Sequence, residues 1–129
     1  MRLLLDTHTA IWALAASRTL PERIRDLIGN EENQIFVSVV SLWEIGIKFS
    51  LYGRDRMPMT SREAVGHFYN AGYAMLNVNV EHALAVETIR LPRGDPFDRL
   101  ILAQALSEPM FLVTKDRQLA GYNDNVVSW

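Results

Sequence analysis

Four acidic residues are the part of this sequence whose side chains could carry out chemistry together. Each stands directly after an apolar run or near the start of an amphipathic stretch, where a side chain lies at the edge of a protein core. Carboxylate oxygens are hard ligands that suit Mg²⁺ or Mn²⁺, and such ions activate water for hydrolysis of a phosphate ester. The sequence therefore predicts four candidate metal ligands: Asp6, Glu44, Asp98 and Asp116.

Each of these acids also has a purely structural interpretation. Asp6 and Asp116 could cap the turns that follow them, and Ser41-x-x-Glu44 has the spacing of a capping box. Asp98 would stand in the first turn of a helix that begins at Asp95-Pro96, where the helix dipole favours an acid. Taken one at a time, the four residues favour capping.

The order of the predicted elements gives the four acids a shared position. Strands separated by helices imply right-handed parallel crossovers. The predicted fold is therefore α/β, a single three-layer α/β/α sandwich over residues 1–129 with a mainly parallel sheet of four to five strands. Strands are predicted at residues 3–5, 35–40, 74–80, 111–114 and 126–127, and helices at 7–17, 21–29, 41–51, 60–71, 82–89 and 95–107, the last being the longest. A chain break between helices is predicted at 91–94.

The carboxyl ends of parallel strands share one edge, which is where open α/β proteins place their sites. With this topology all four acids face one crevice. Carboxylates this close raise one another's pKa and cost stability unless cations lie between them. Neutralising one of them, by Glu44→Gln or Asp98→Asn, should then leave the metal-free protein as stable or more stable. A metal site is favoured, and a capping carboxylate still has lone pairs for it.

Residues beside the acids receive supporting assignments. Thr114 is predicted to orient a ligand or water, or to satisfy its own backbone, and Asp95 to cap a helix or join a surrounding hydrogen-bond network. The alternative to phosphate binding by Lys48 is an ion pair with Glu44, four residues earlier on the same helix face. For the other basic residues the alternative is a solvated surface. The possible phosphate contacts are Lys48, Arg99, Lys115 and Arg117.

Tryptophan placement bears on nucleic-acid binding. Two of the three tryptophans lie on apolar helix faces, so all three are expected in the core or an interface rather than as base-stacking platforms. They are Trp12, Trp43 and Trp129.

Composition excludes several classes of protein. With 13 Lys+Arg against 15 Asp+Glu, the net charge of −2 gives no general attraction for nucleic acid, so such binding would need a local basic rim. The absence of cysteine excludes disulfides, zinc–thiolate sites and a cysteine nucleophile, and fits the reducing cytoplasm, where we expect the protein to act. No apolar run is long enough for a membrane span. The histidines lack the spacing of a zinc hydrolase.

Four motifs occur in a fixed order along the chain. They are Leu3-Leu4-Leu5-Asp6-Thr7-His8, Ser38-Val39-Val40-Ser41-Leu42-Trp43-Glu44-Ile45-Gly46-Ile47-Lys48, Asp95-Pro96-Phe97-Asp98-Arg99-Leu100-Ile101-Leu102-Ala103-Gln104-Ala105 and Leu112-Val113-Thr114-Lys115-Asp116. With these motifs the chain resembles the PIN-domain ribonucleases, and in particular the VapC-type toxins of bacterial type II toxin–antitoxin pairs. Related proteins often have His-Arg before the Asp-Pro-Phe-Asp motif, whereas Arg93-Gly94 stand here, which bears on local loop shape.

This resemblance implies an activity and partners. It implies that Asp6, Glu44, Asp98 and Asp116 form the family's acidic site, which cleaves RNA with Mg²⁺ or Mn²⁺. Hydrolysis of this type leaves a 5′-phosphate and a 3′-hydroxyl. The resemblance also implies a cognate VapB-type antitoxin that wraps the toxin and occludes the site, a toxin homodimer and a toxin–antitoxin hetero-oligomer.

Two other functions compete with the nuclease. A phosphatase with Asp6 as nucleophile would prefer a second acid two residues later, where this sequence has Thr7-His8. A PIN-like adaptor could keep the acids and bind RNA or protein without turnover. Metal-dependent cutting of RNA, turnover of a small phosphate ester, or neither, would separate the three.

Overall fold

The computed structural model describes residues 1–91 and 94–129. The described residues form five strands and six α-helices, with short 3₁₀ turns at Gly53–Asp55 and Val86–Thr88. The strands are β1 (Arg2–Leu5), β2 (Gln34–Ser38), β3 (Ala74–Leu76), β4 (Phe111–Val113) and β5 (Val126–Val127). The helices are α1 (Thr7–Leu14), α2 (Glu22–Gly29), α3 (Val39–Tyr52), α4 (Ser61–Asn70), α5 (Val80–Ala85) and α6 (Pro96–Ser107).

The five strands form one parallel sheet in the order β3-β2-β1-β4-β5. The central strand β1 pairs on both sides, with Leu3 opposite Ile35 of β2 and Phe111 of β4. All four pairings in the sheet are parallel. The predicted α/β class with a parallel sheet of four to five strands is confirmed.

Alternating side chains of β1 build a core on each face of the sheet. Leu3 and Leu5 pack in the cluster that takes buried residues from α1, α2, α3 and α4. Leu4 lies in the opposite cluster with buried residues of α6, including Ile101 and Leu102. The continuous leucine run thus fills both layers, as expected for a strand covered on both faces.

The junction between β2 and α3 differs from the prediction. The β-branched run 35–40 predicts strand throughout, but β2 ends at Ser38 and α3 begins at Val39. The Ser38 side chain accepts the backbone N–H of Val40 at 3.0 Å and so caps the helix. Ser41 and Glu44 consequently lie inside α3, and the predicted capping box at those residues is wrong.

Several other boundaries are also shorter or shifted. The third strand ends at Leu76 rather than at residue 80, because Asn79 caps α5 through the backbone N–H of His82. The first helix ends at Leu14 rather than 17. The longest helix is α3, with 14 residues, and not α6, with 12. The predicted break at 91–94 includes Pro92 and Arg93, which lie outside the described residues.

Within the described parts of the chain, no helix is both long enough and apolar enough to span a membrane.

Candidate active site

Asp6 lies directly after β1, where the central strand reaches the carboxyl edge of the sheet. Its backbone N–H still donates to the carbonyl of Val113 at the end of β4, at 3.1 Å. One side-chain oxygen, Oδ1, accepts the backbone N–H of Thr9 at 2.9 Å and caps α1. The other, Oδ2, accepts the hydroxyl of Thr114 at 2.5 Å. Burial raises the pKa of Asp6 above its usual range, against these hydrogen bonds, which lower it.

Asp116 lies three residues after the end of β4, on the same edge. Its backbone N–H donates to Thr114 Oγ1 at 3.0 Å, and its Oδ1 accepts the backbone N–H of Gln118 at 2.8 Å. Thr114 therefore connects the two acids, since its hydroxyl donates to Asp6 and accepts from Asp116. The predicted role of Thr114 in orienting a ligand or water remains a prediction.

Glu44 lies in the interior of α3 and is 2 % exposed. Its Oε1 accepts the hydroxyl of Thr7 at 2.7 Å, and Thr7 Oγ1 is also 2.8 Å from Ser41 Oγ. Its Oε2 forms an ion pair with Lys48 Nζ at 2.5 Å, one helical turn further on. Of the two interpretations of Lys48, the ion pair is the one that the structure contains. Both carboxylate oxygens of Glu44 are thus engaged by the chain itself.

Asp98 occupies the first turn of α6, whose N-cap is Asp95. The Asp95 side chain accepts the backbone N–H groups of Phe97 at 2.7 Å and Asp98 at 3.4 Å. Burial, as the largest cause, and four nearby carboxyl groups together raise the pKa of Asp98 to about 8. In order of effect these are the charge of Asp95, the charge of Asp6, a side-chain hydrogen bond with Asp116 and the charge of Glu44.

Asp6, Glu44 and Asp116 all contribute to the raised pKa of Asp98, which indicates that they lie near it; that the four acids form one site remains a prediction. Asp6 and Asp116 follow neighbouring strands, whereas Glu44 and Asp98 come from helices on opposite layers of the sheet. Asp95 is exposed and contributes its charge from the edge of the group. Like charges at short range disfavour ionisation, and a cation placed among them removes that cost.

The fit of these residues to a divalent metal ion depends on their chemistry and spacing. Across residues 1–91 and 94–129, no three His, Asp or Glu side chains are already arranged as a metal site. Mg²⁺ commonly keeps several waters and binds through one or two carboxylates together with substrate phosphate, so a preformed cage is not required. Carboxylates are hard oxygen donors, and the four candidate acids are of the chemical type that suits such an ion.

The basic residues around the acids differ in what they contact. Arg99 donates to the carbonyls of Ile89 and Leu91, both at 3.1 Å, and so anchors the segment after α5 to α6. Lys115 and Arg117 are exposed, and Lys115 Nζ lies 5.8 Å from the centre of the Trp12 ring. Phosphate contact by Lys48, Arg99, Lys115 and Arg117 remains a prediction.

Two residues of the site were not identified from the sequence. Thr7 and Ser41 are buried, and the Thr7 hydroxyl lies within hydrogen-bond distance of both Ser41 Oγ and Glu44 Oε1. The sequence did contain a signal for both residues: Thr7 directly follows Asp6, and Ser41 stands three residues before Glu44. The capping-box interpretation assigned Ser41 to the helix end instead.

The fold and the acidic crevice define an α/β protein with a candidate hydrolytic site at the carboxyl edge of a parallel sheet. A family model described as PIN domain matches residues 3–125. The chain belongs to the PIN-domain family.

Individual relatives agree with this assignment. The chain is 28% identical over 122 residues to "Ribonuclease VapC22" of Mycobacterium tuberculosis, covering 92% of this chain and 90% of the relative. The structure of VapBC2 from Rickettsia felis bound to a DNA fragment from their promoter aligns with a TM-score of 0.71 at 17% identity, covering 100% of this chain and 99% of that chain. A toxin–antitoxin complex from Klebsiella pneumoniae aligns with a TM-score of 0.62 at 21% identity, covering 98% and 96%. At these identities the two structures show a shared fold.

Proposed function

We propose that this protein is a metal-dependent endoribonuclease of the VapC type, the toxin of a type II toxin–antitoxin pair. The observation that carries the proposal is a PIN fold in which Asp6 and Asp116 follow neighbouring parallel strands. The raised pKa of Asp98, to which Asp6, Asp116 and Glu44 contribute, supports it. The 28% identity to a ribonuclease over nearly the whole chain supports the same activity. The four proposed catalytic residues are Asp6, Glu44, Asp98 and Asp116.

Side chains of this protein would hold a cation, and others orient the residues that hold it. We assign Asp6, Glu44, Asp98 and Asp116 as the residues that would hold Mg²⁺ or Mn²⁺. When bound, such an ion lowers the pKa of water and offsets charge that develops on a phosphate. Thr114 orients Asp6, while Thr7 and Lys48 orient Glu44.

Proton release from Asp98 belongs to the same mechanism. A carboxyl group with a pKa of about 8 is mainly protonated at neutral pH, so it has to lose its proton to become an anionic ligand. Hydrolysis of the RNA phosphodiester would leave a 5′-phosphate and a 3′-hydroxyl.

The proposed partner is a VapB-type antitoxin that covers the acidic edge. One structural relative is described as a toxin–antitoxin complex, and the other as VapBC2 bound to a DNA fragment from their promoter. An arginine of the antitoxin would suit the crevice, because a guanidinium pairs with a carboxylate through two hydrogen bonds. We further propose a toxin homodimer, a single PIN domain over residues 1–129 and action in the cytoplasm, where the RNA substrate is found.

Purified protein incubated with RNA, in Mn²⁺ or in EDTA, tests the activity. Structured and unstructured RNA and a small phosphate ester are included as substrates. Cutting of RNA only in the presence of metal is the expected result. Turnover of the ester would favour a phosphatase, and absence of any turnover would favour a binding adaptor. An RNA that is cut equally in EDTA would contradict metal dependence.

A further inference from the structure

Trp43 is a large aromatic side chain exposed on the surface of α3. Its side chain is 60 % exposed, although it directly precedes the buried Glu44 in α3. Of the two predicted environments, core or interface, the core is therefore wrong for Trp43, and the interface remains a prediction. Tryptophan is highly buried on average, so a residue this exposed next to a candidate site calls for a ligand or a partner.

The indole of Trp43 is fixed by a second aromatic ring. The centres of the Trp43 and Phe97 rings are 5.1 Å apart and their planes meet at 81°, an edge-to-face contact. Phe97 directly precedes Asp98, so the aromatic contact joins the same two helices whose acids converge. Because Phe97 holds the indole, little rotational freedom remains to be lost when a ligand stacks on it.

Trp43 also lines a groove of about 440 Å³ between α3 and α4. Three partly buried aliphatic side chains contribute to its lining, and Ser61 and Arg62 at the start of α4 provide polar groups. Arg62 is exposed and forms no ion pair within residues 1–91 and 94–129. The remaining lining residues are Val39, Leu42 and Val65.

We propose that this groove is a subsite for one unpaired RNA nucleotide adjacent to the bond that is cut, with the base against Trp43 and a phosphate at Arg62. The proposal rests on the proposed ribonuclease function. Every base presents an aromatic face, and in a duplex that face is already stacked, so the subsite selects unpaired RNA. An acidic crevice and a net charge of −2 repel phosphate. The Arg62 guanidinium offsets that repulsion locally. A purely apolar peptide segment in the groove would leave the guanidinium without a counter-charge.

Binding of RNA tests the subsite separately from cleavage. Affinity for an unpaired oligonucleotide and for the same sequence as a duplex is measured with Mg²⁺ in an Asp6→Asn background, chosen to keep the RNA intact. We expect Trp43→Ala to weaken binding of the unpaired RNA about 5- to 100-fold and duplex binding by less than about 3-fold. Trp43→Phe, which keeps an aromatic ring, should retain most of the affinity. Unpaired RNA should also quench the indole emission of the Trp43-containing protein more than that of the Phe variant.

Arg62→Gln tests the phosphate contact. Loss of one phosphate contact on a single strand should reduce the slope of log affinity against log salt by about 0.7. Tyr69→Ala is the matched aromatic control, because Tyr69 is 68 % exposed near the end of α4, beside the opposite edge of the sheet. It should change neither affinity nor the salt slope.

Three results would overturn the subsite. These are unchanged affinity for unpaired RNA in Trp43→Ala, an equal loss for unpaired and duplex RNA, or a change in oligomeric state alone, which would make the groove a protein interface. Cleavage by the protein with Asp6 intact is scored independently in Mn²⁺. Trp43-dependent binding without any cleavage would support the nucleotide site and reject the nuclease, whereas cleavage with Trp43-independent binding would do the reverse.

Discussion

Asp6 carries a structural and a proposed catalytic role on different oxygens. Oδ1 caps α1 through Thr9, and Oδ2 accepts the hydroxyl of Thr114. Each carboxylate oxygen has two lone pairs, so both retain capacity for a cation. The two interpretations that the sequence leaves open for this residue are compatible, because a cap at the end of β1 is also a position at the carboxyl edge of the sheet.

Asp6→Asn should abolish RNA cleavage while the fold remains. Asparagine caps helices about as well as aspartate, and its amide can still meet the Thr114 hydroxyl. The melting temperature in EDTA should therefore stay at or above that of the parent, since a buried charge is removed. Cleavage is followed with labelled RNA in Mn²⁺, with Asp26→Asn, an exposed acid on α2, as the charge-matched control. Undiminished cleavage by Asp6→Asn would remove Asp6 from the catalytic set.

The raised pKa of Asp98 predicts how stability depends on pH. Its folded-state pKa of about 8 lies above the ordinary value of 3.8, so the folded protein keeps a proton that the unfolded chain loses. The free energy of unfolding of the metal-free protein should therefore fall as the pH rises from about 4 to about 8. Because Asp98 is partly solvated, we expect a decrease of about 1–2 kcal/mol rather than the full value of the shift.

Asp98→Asn isolates this effect. Without the titrating carboxyl, the melting temperature in EDTA should vary less between pH 5 and pH 8, and at pH 8 it should exceed that of the parent by several degrees, at about 3–6 °C per kcal/mol. Asp26→Asn should keep the parent slope. A pH profile of Asp98→Asn that superimposes on the parent would show that Asp98 does not carry the perturbed titration.

Glu44 should respond in the opposite direction. The sequence alone predicts that neutralising any acid relieves repulsion, but Lys48 and Thr7 already compensate Glu44. Glu44→Gln weakens a charge-assisted bond and should lower the free energy of unfolding by about 1–2 kcal/mol in EDTA, allowing for partial exposure of Lys48. Glu63→Gln, which changes the exposed pair with Arg54, is the control and should melt close to the parent. A Glu44→Gln protein that melts higher than the parent would restore the repulsion argument.

At the scale of elements, the placement of α3 depends on contacts that sequence periodicity does not contain. Residues 35–40 are β-branched and aromatic and locally favour a strand. Ser38 nevertheless ends β2, because its hydroxyl caps α3 and donates to the buried Gln104 of α6 at 2.5 Å. This contact spans 66 residues of sequence and therefore gives no local signal. The start of α3 at Val39 fixes the helix face on which Ser41, Glu44 and Lys48 lie.

Ser38→Ala should destabilise the protein more than a serine-to-alanine substitution usually does. It removes the cap of α3 and leaves the buried amide of Gln104 short of a partner, at a combined cost of about 2–3 kcal/mol. The loss is measured by urea unfolding in EDTA. Ser50→Ala is the control, because Ser50 is exposed and its hydroxyl bonds only to the carbonyl of Ile47. Equal midpoints for Ser38→Ala and Ser50→Ala would show that the cap and the Gln104 contact do not stabilise the α3 start.

At the scale of the whole molecule, the sequence predicts the framework better than its details. The runs at β1 and β4 and the acids that follow them identify the carboxyl edge, because a parallel sheet leaves little freedom there. The exposure of Trp43 is not predictable in the same way. An apolar helix face has the same pattern whether it meets a core or a groove, and only the assembled neighbours α4 and α6 decide which. The partners of Arg99 and Lys48 depend in the same manner on side-chain geometry.

Metal binding should couple to the stability of the whole fold through protons. An ion that binds only the folded state stabilises it by RT ln(1 + [L]/Kd), where [L] is the concentration of free ion. Mn²⁺ should therefore raise the melting temperature of the parent, and EDTA should reverse the gain. Because the ion competes with the proton on Asp98, the gain should be larger at pH 8 than at pH 6. Asp98→Asn should reduce the gain and remove most of its pH dependence, whereas Asp26→Asn should preserve both. These melts contain no RNA, so they test the carboxylate site independently of turnover. An Mn²⁺ gain that is identical in parent and Asp98→Asn at both pH values would place the metal elsewhere and return Asp98 to a capping role.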